Sequence, residues 1–255
     1  MTKPVAIVTG ARRGIGLGIA EALASQGFDL AITDIVDDDA SQSAIETLEK
    51  LGARAIFIPS DIADLSSHCA TVETAIAKFG QIDCLVNNAG IGSKARGDFL
   101  DLEPANYDAI FNINLRGTVF FTQAVLRMML AQKHTSRPRS IINITSVSAA
   151  MTSPERLDYC MTKAALAAFT QGLALRLADQ GISVFDVRPG IIRSDMTAVA
   201  AAKYDKLIAE GLVPMKRWGE PEDLGRIVAA LASGDFNFAT GSVINADGAL
   251  SIGRL

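Results

Sequence analysis

The sequence predicts an α/β fold: one domain over residues 1–255, built on a doubly wound parallel sheet of about seven strands with helices on both faces. Three observations predict it. Short, nearly continuous apolar runs alternate with helical patterns along almost the whole chain, as strands do when crossover helices bury them on both sides. No long polar, Pro-rich or Gly/Ser-rich linker divides the 255 residues, 49% of which are hydrophobic, so a single core is expected. The first apolar run leads directly into three closely spaced glycines and an amphipathic helix, the order in which such a sheet builds a phosphate cradle.

The elements follow in order. Strands are expected at residues 4–9, 29–34, 54–59, 83–87, 140–145, 182–188 and 242–245, from apolar runs rich in Val and Ile. Helices are expected from the glycine turn to about Gln26 and over 40–51, 66–79, 104–132, 158–180 and 221–232. Gly52, Gly80 and Gly181 each fall where a helix should stop, as glycines just past a helix end do. Residues 134–139 read as a solvated insertion before the fifth strand.

In such a sheet ligands bind beyond the carboxyl ends of the strands, where strand order reverses. Gly10, Gly14 and Gly16 follow the first strand; lacking Cβ atoms, they let the backbone turn tightly and bring free N–H groups to a pyrophosphate. Asp34 ends the second strand eighteen residues after Gly16, near the separation expected of an acid that binds an adenosine ribose. Arg12 and Arg13 pull the other way, since a cation there could grip the extra phosphate of NADP. A carboxylate about 5 Å from each unit of phosphate charge costs roughly 3 kcal/mol at an effective dielectric near 20, so NAD is preferred over NADP.

Tyr159 and Lys163 lie four residues apart in a predicted helix, with Ser146 thirteen residues before Tyr159. One helical turn places phenol and ammonium on one face. A phenol with a reference pKa of about 10 transfers protons poorly at neutral pH unless a neighbouring cation stabilises its anion, and Lys163 is placed to be that cation. Ser146 offers a hydroxyl to orient a carbonyl or alcohol oxygen beside the phenol. With three tyrosines in the chain, an accidental Tyr-x-x-x-Lys pair is roughly a one-in-ten event; the glycine turn, Asp34, Asn87 and Ser146 converging on one sheet edge lift the reading above chance.

Composition removes other classes. Net charge is −4 and the basic residues are scattered, which disfavours nucleic acid. No apolar run reaches about 18 residues and the N-terminus enters a strand at once, so no membrane span or signal peptide is expected and the cytoplasm is. Cys69, Cys84 and Cys160 are odd in number and far apart, which suits neither disulfides nor a metal site. His68 and His134, the two histidines, make neither a metal cluster nor a Ser–His pair.

Taken together these residues resemble the short-chain dehydrogenases/reductases, over essentially the whole chain. Thr9-Gly10-Ala11-Arg12-Arg13-Gly14-Ile15-Gly16 is similar to the family's cofactor signature, Asp61-Ile62 to its adenine-side pair, Asn87-Asn88-Ala89-Gly90 to its motif after the fourth strand, and Pro189-Gly190 to its nicotinamide-side turn. Asn114 matches its helix asparagine, and Ser146, Tyr159 and Lys163 match its catalytic spacing. The resemblance implies a Rossmann fold and an NAD(P)-dependent enzyme that interconverts a secondary alcohol and a ketone. Tyr159 then serves as acid/base, Lys163 lowers its pKa and bonds the nicotinamide ribose, Ser146 positions the substrate oxygen, and Asn114 holds a water linking Lys163 to solvent. Asn88, Ala89 and Gly90 approach the cofactor, as do Ile192 and Ser194, the serine standing where threonine is common.

The resemblance is closest to the branch of 3-oxoacyl acyl-carrier-protein reductases, so that activity, with an acyl-carrier protein as partner, is the alternative. A small alcohol or ketone is preferred, because carrier-protein users favour NADP and basic residues at the end of the catalytic helix, which here reads Leu177-Ala178-Asp179-Gln180-Gly181. A non-catalytic NAD sensor is the remaining rival, disfavoured by the intact Ser146, Tyr159 and Lys163. A substrate loop or lid is expected over about 190–218, and Met151, Met196, Met215, Trp218, Arg156 and Arg193 allow an apolar or an anionic substrate. The Ala-rich stretch 164–174 and the helix near 115–132 are expected to pack a homotetramer or homodimer, as in family relatives.

Overall fold

The structure is a computed structural model that describes residues 2–132, 137–198 and 200–253. Seven parallel strands form one sheet in the order β3-β2-β1-β4-β5-β6-β7: β1 Val5–Thr9, β2 Asp29–Asp34, β3 Ala55–Pro59, β4 Cys84–Asn87, β5 Arg139–Ile144, β6 Ile182–Pro189 and β7 Val243–Ala246. Order reverses between β1 and β4, which pair in parallel through Ala6–Cys84, Ile7–Leu85 and Val8–Val86. Each strand lies within a residue or so of its expected span, because a run buried on both faces is apolar from end to end.

Two cores result. On one face, helices α1 (Gly14–Ser25), α2 (Asp39–Lys50) and α9 (Pro221–Ala232) cover alternate residues of the strands; on the other lie α3 (His68–Phe79), α5 (Thr118–Ala131) and α6 (Leu157–Leu177). The expected helix over 104–132 is three pieces: α4 (Pro104–Phe111), a π-helical turn over Asn112–Gly117, and α5. Gly117 carries the reason. A Cβ there would stand 2.2 Å from the Ile62 carbonyl oxygen, so the wide turn is pressed against the loop after β3.

A buried polar ladder stitches the second layer. Asn87 Nδ2 donates to Thr122 Oγ1 (2.8 Å) and Asn143 Oδ1 (2.7 Å), and Asn143 Nδ2 donates to Thr170 Oγ1 (2.8 Å). The segment before α9 folds as two short helices, α7 (Asp195–Ala198) and α8 (Ala201–Ala209), with its own cluster of Ile208, Val213 and Trp218. Half of the expected insertion, including His134, lies outside the described residues; Arg139, expected in it, is buried at the start of β5 and donates to the Met129 and Gln180 carbonyls (2.8 and 2.6 Å). Among the described residues no helix is long and apolar enough to cross a membrane.

Candidate active site

A cleft of about 850 Å³ opens along the carboxyl edge of the sheet. Its floor is the glycine turn. The N-cap of α1, Arg13, gives no side-chain bond to the helix start, and the first turn holds no acid, so the N–H groups there are left for an anion. Gly14 has φ +59° and open space where a Cβ would be, whereas a Cβ on Gly16 would meet the Gly10 carbonyl at 2.2 Å. Asn88 braces the turn: its Nδ2 donates to the Thr9 and Gly10 carbonyls (both 2.9 Å), while Thr9 Oγ1 accepts from the backbone of Asn88 and Ala89 (both 3.0 Å). These residues fit the diphosphate of a dinucleotide.

Asp34, Asp61 and Ile62 line the far end of the cleft. Asp34 accepts from the Ile35 N–H (2.8 Å) and has no cationic partner among the described residues. Arg12 is paired with Asp38, the N-cap of α2, and Arg13 with Asp195 at 2.7 Å. His68, buried, bonds the Ile62 carbonyl (3.0 Å) and meets Phe121 edge-on, so it holds this loop.

Toward the other end, Ser146, Tyr159 and Lys163 converge on one wall. Ser146 is extended and accepts from the Ser148 N–H (3.0 Å). The Lys163 ammonium and the Arg156 guanidinium stand 5.6 and 5.5 Å from the centre of the Tyr159 ring. Burial pushes the Lys163 ammonium down to about 8, against the pull of Asp186. Burial raises the Tyr159 phenol above its ordinary value, and the Ser146 hydroxyl and Arg156 oppose it. The phenol thus stands raised rather than lowered as expected: the ammonium points one donor at the Ile144 carbonyl (3.0 Å), and desolvation outweighs the Ser146 hydroxyl and Arg156.

Every catalytic and cofactor residue expected from the sequence lines this cleft except Asn114, and of the expected substrate-side residues Met151, Arg156 and Met196 line it whereas Arg193, Met215 and Trp218 do not. Gly10, Arg12, Arg13, Gly14, Ile15 and Gly16 surround the turn, Asn88, Ala89 and Gly90 follow β4, and Pro189, Gly190, Ile192 and Ser194 follow β6. Asn114 sits behind the wall. Its Oδ1 accepts from the Ile91 N–H and its Nδ2 donates to the Ile91 carbonyl, both at 2.8 Å, and Nδ2 also reaches Thr162 Oγ1 at 3.4 Å, so the side-chain amide ties α6 and the loop after β4 together. Sequence reasoning missed Asp186, which behind Lys163 bonds Thr145 and pairs with Arg188 (2.8 Å). The signal was present: an acid inside an apolar strand with an arginine two residues on shares one face with it. Leu250 and Thr145, also on the lining, carried no such mark.

Fold and site together define an oxidoreductase that works on a dinucleotide. The family model described as enoyl-(acyl-carrier-protein) reductase matches residues 10–251. A crystal structure of a 3-oxoacyl-[acyl-carrier protein] reductase from Brucella melitensis in complex with NAD is 63% identical, with TM-score 0.97 over 100% of both chains. The 3-oxoacyl-[acyl-carrier-protein] reductase of Staphylococcus epidermidis is 34% identical over 96% of this chain and 98% of its own. A blue fluorescent protein from a metagenomic library, solved with NADPH, is 33% identical with TM-score 0.89, covering 98% and 99%. This chain belongs to the short-chain dehydrogenase/reductase family, and it is an NAD(P)-dependent enzyme acting on CH–OH groups.

Proposed function

We propose that the chain is an NAD-preferring dehydrogenase of a small secondary alcohol or its ketone, with Tyr159 as acid/base. The carrying observation is the convergence of the Tyr159 phenol, the Ser146 hydroxyl and the Lys163 ammonium on one wall of a cleft whose floor is an uncapped helix start. When bound, the nicotinamide dinucleotide accepts or supplies the hydride. Ser146 holds the substrate oxygen beside the phenol, and Tyr159 gives it a proton in reduction or removes one in oxidation. Lys163 keeps two N–H donors beyond its bond to Ile144, enough for a ribose hydroxyl and for charge beside the phenol. Asn114 is a positioning residue that fixes Ile91 at the mouth of the site.

The NAD preference rests on Asp34, which faces the cleft unpaired while Arg12 and Arg13 are held by Asp38 and Asp195. An added phosphate would compete with Asp38 and Asp195 for those guanidiniums. The second reading, a 3-oxoacyl thioester on an acyl-carrier protein, is favoured by the name of the Brucella relative. The last turn of α6 does carry an exposed basic residue, Arg176, which corrects the expectation that this end lacks one. Exposed apolar side chains on α5 and α6 support a homotetramer or homodimer, and three free thiols suit the cytoplasm.

A panel of alcohols and ketones followed by NADH absorbance, with NAD and NADP compared by kcat/KM, tests cofactor and reaction together. Tyr159→Phe should lower turnover by roughly 10²–10⁴-fold, the range of a lost acid/base, while NAD still raises the melting temperature. Unchanged turnover refutes the acid/base role, and a strong NADP preference refutes the reading of Asp34.

A further inference from the structure

Five cations line the cleft: Arg12, Arg13, Arg96, Arg156 and Lys163. Three are engaged, Arg12 by Asp38, Arg13 by Asp195, and Lys163 by the Ile144 carbonyl. Arg96 and Arg156 have no carboxylate partner among the described residues, although an acid, Glu155, is next to Arg156 in the chain. The three lining carboxylates, Asp34, Asp61 and Asp195, come from the ends of β2 and β3 and from the start of α7. Positive charge without a counterion therefore gathers at the Tyr159 end.

The two arginines ride on segments fastened to each other. Ser93 Oγ donates to the buried Asp158 (2.6 Å), and the Gly97 N–H donates to the Glu155 carbonyl (3.3 Å). These bonds tie the loop carrying Arg96 to the turn carrying Arg156, directly before the helix of Tyr159. Arg193, the other arginine open to a substrate role, leaves the site: it pairs with Glu220 (3.3 Å), stacks on Trp218 (4.9 Å), and is not on the lining.

From this arrangement we propose that Arg156, assisted by Arg96, binds the carboxylate of a short hydroxy or keto acid whose alcohol or ketone carbon reacts at Tyr159. The proposal rests on the acid/base reading of Tyr159 and names the substrate class for it. A guanidinium 5.5 Å from the phenol ring meets an anion only if that anion lies within a few bonds of the reacting carbon, and its planar fork suits a carboxylate. A thioester presents a neutral carbonyl at that point and leaves the cation uncompensated once water is displaced.

The test compares lactate, 3-hydroxybutyrate and 4-hydroxypentanoate, each beside its methyl ester and beside 2-butanol, with NAD. At least one acid should exceed its ester in kcat/KM by roughly 30-fold, the factor given by about 2 kcal/mol for a charge-assisted bond. Arg156→Leu should bring that ratio to within about threefold of unity, with Arg156→Lys between. The same order should appear in binding of acid and ester to the NADH-loaded enzyme, where no turnover occurs. An ester that equals its acid, or an Arg156→Leu variant that lowers both alike and keeps the ratio, overturns the proposal and leaves the alcohol–ketone reading standing. If no compound in the panel turns over, the small-alcohol reading fails, and equal binding of acid and ester then overturns the carboxylate site as well.

Discussion

Lys163 holds its charge against burial, and the consequence is a measurable coupling of stability to pH. Its folded pKa of about 8 lies below the ordinary lysine value of 10.5, so between those values the unfolded chain binds a proton that the folded chain has released. Stability from this group therefore rises with pH through that window and is lowest below about 8, where the buried ammonium is fully charged. Tyr159 and Cys84, both raised by burial, the thiol to about 12, act oppositely: each stays protonated in the fold after its unfolded form has ionised, so their contributions fall at high pH. Comparing native protein with Lys163→Met cancels those two. Urea unfolding should show the native-minus-variant difference rising by on the order of 2 kcal/mol between pH 7.5 and 10; a flat difference sinks the desolvated-ammonium picture. The pair Tyr159–Lys163 was legible as spacing in the sequence, but the balance of burial against charge was not, because it depends on Ile144 and Asp186 arriving from other strands.

At the level of elements, the turn over Asn112–Gly117 shows where periodicity stops informing. A 3.6-residue pattern runs through 104–132 without a break, since one widened turn shifts the apolar face by less than the width of that face. What identifies the turn is tertiary: Gly117 against the Ile62 carbonyl and Asn114 clamped on Ile91. The wide turn thus connects the loop after β3 to the mouth of the cleft, and π-helical turns recur at functional sites. Gly117→Ala puts a methyl 2.2 Å from a backbone oxygen; relieving that overlap should cost about 2–3 kcal/mol and lower the melting temperature by roughly 5–10 °C. Because Ile62 moves with it, NAD affinity should fall too. A variant that melts with the native protein shows that the loop yields freely, and removes the turn from the scaffold of the site.

For the whole molecule, alternation of strand and helix made the sheet and its binding edge readable, since each crossover forces the next strand parallel and puts every βα loop on one side. Assembly is harder, because an apolar helix face looks the same whether it packs inside the subunit or against another one. Burial separates the two cases. On α6, Cys160, Lys163, Ala167, Thr170 and Ala174 are buried, while Met161, Ala164, Ala168, Gly172 and Leu175 form an exposed stripe, with Leu175 84% exposed and Phe120 on α5 42% exposed. Small residues along such a stripe allow two helices to approach closely, and a two-fold copy would bury the same stripe on both partners. Light scattering of the eluted native protein should give two or four times the 26.9 kDa subunit mass. Ala168→Arg, which places a charge in the middle of the stripe without touching the cleft, should reduce that mass by half or more while the far-ultraviolet circular dichroism keeps its native shape. A native monomer removes the assembly reading outright, and a variant that keeps the native mass moves the interface to another face.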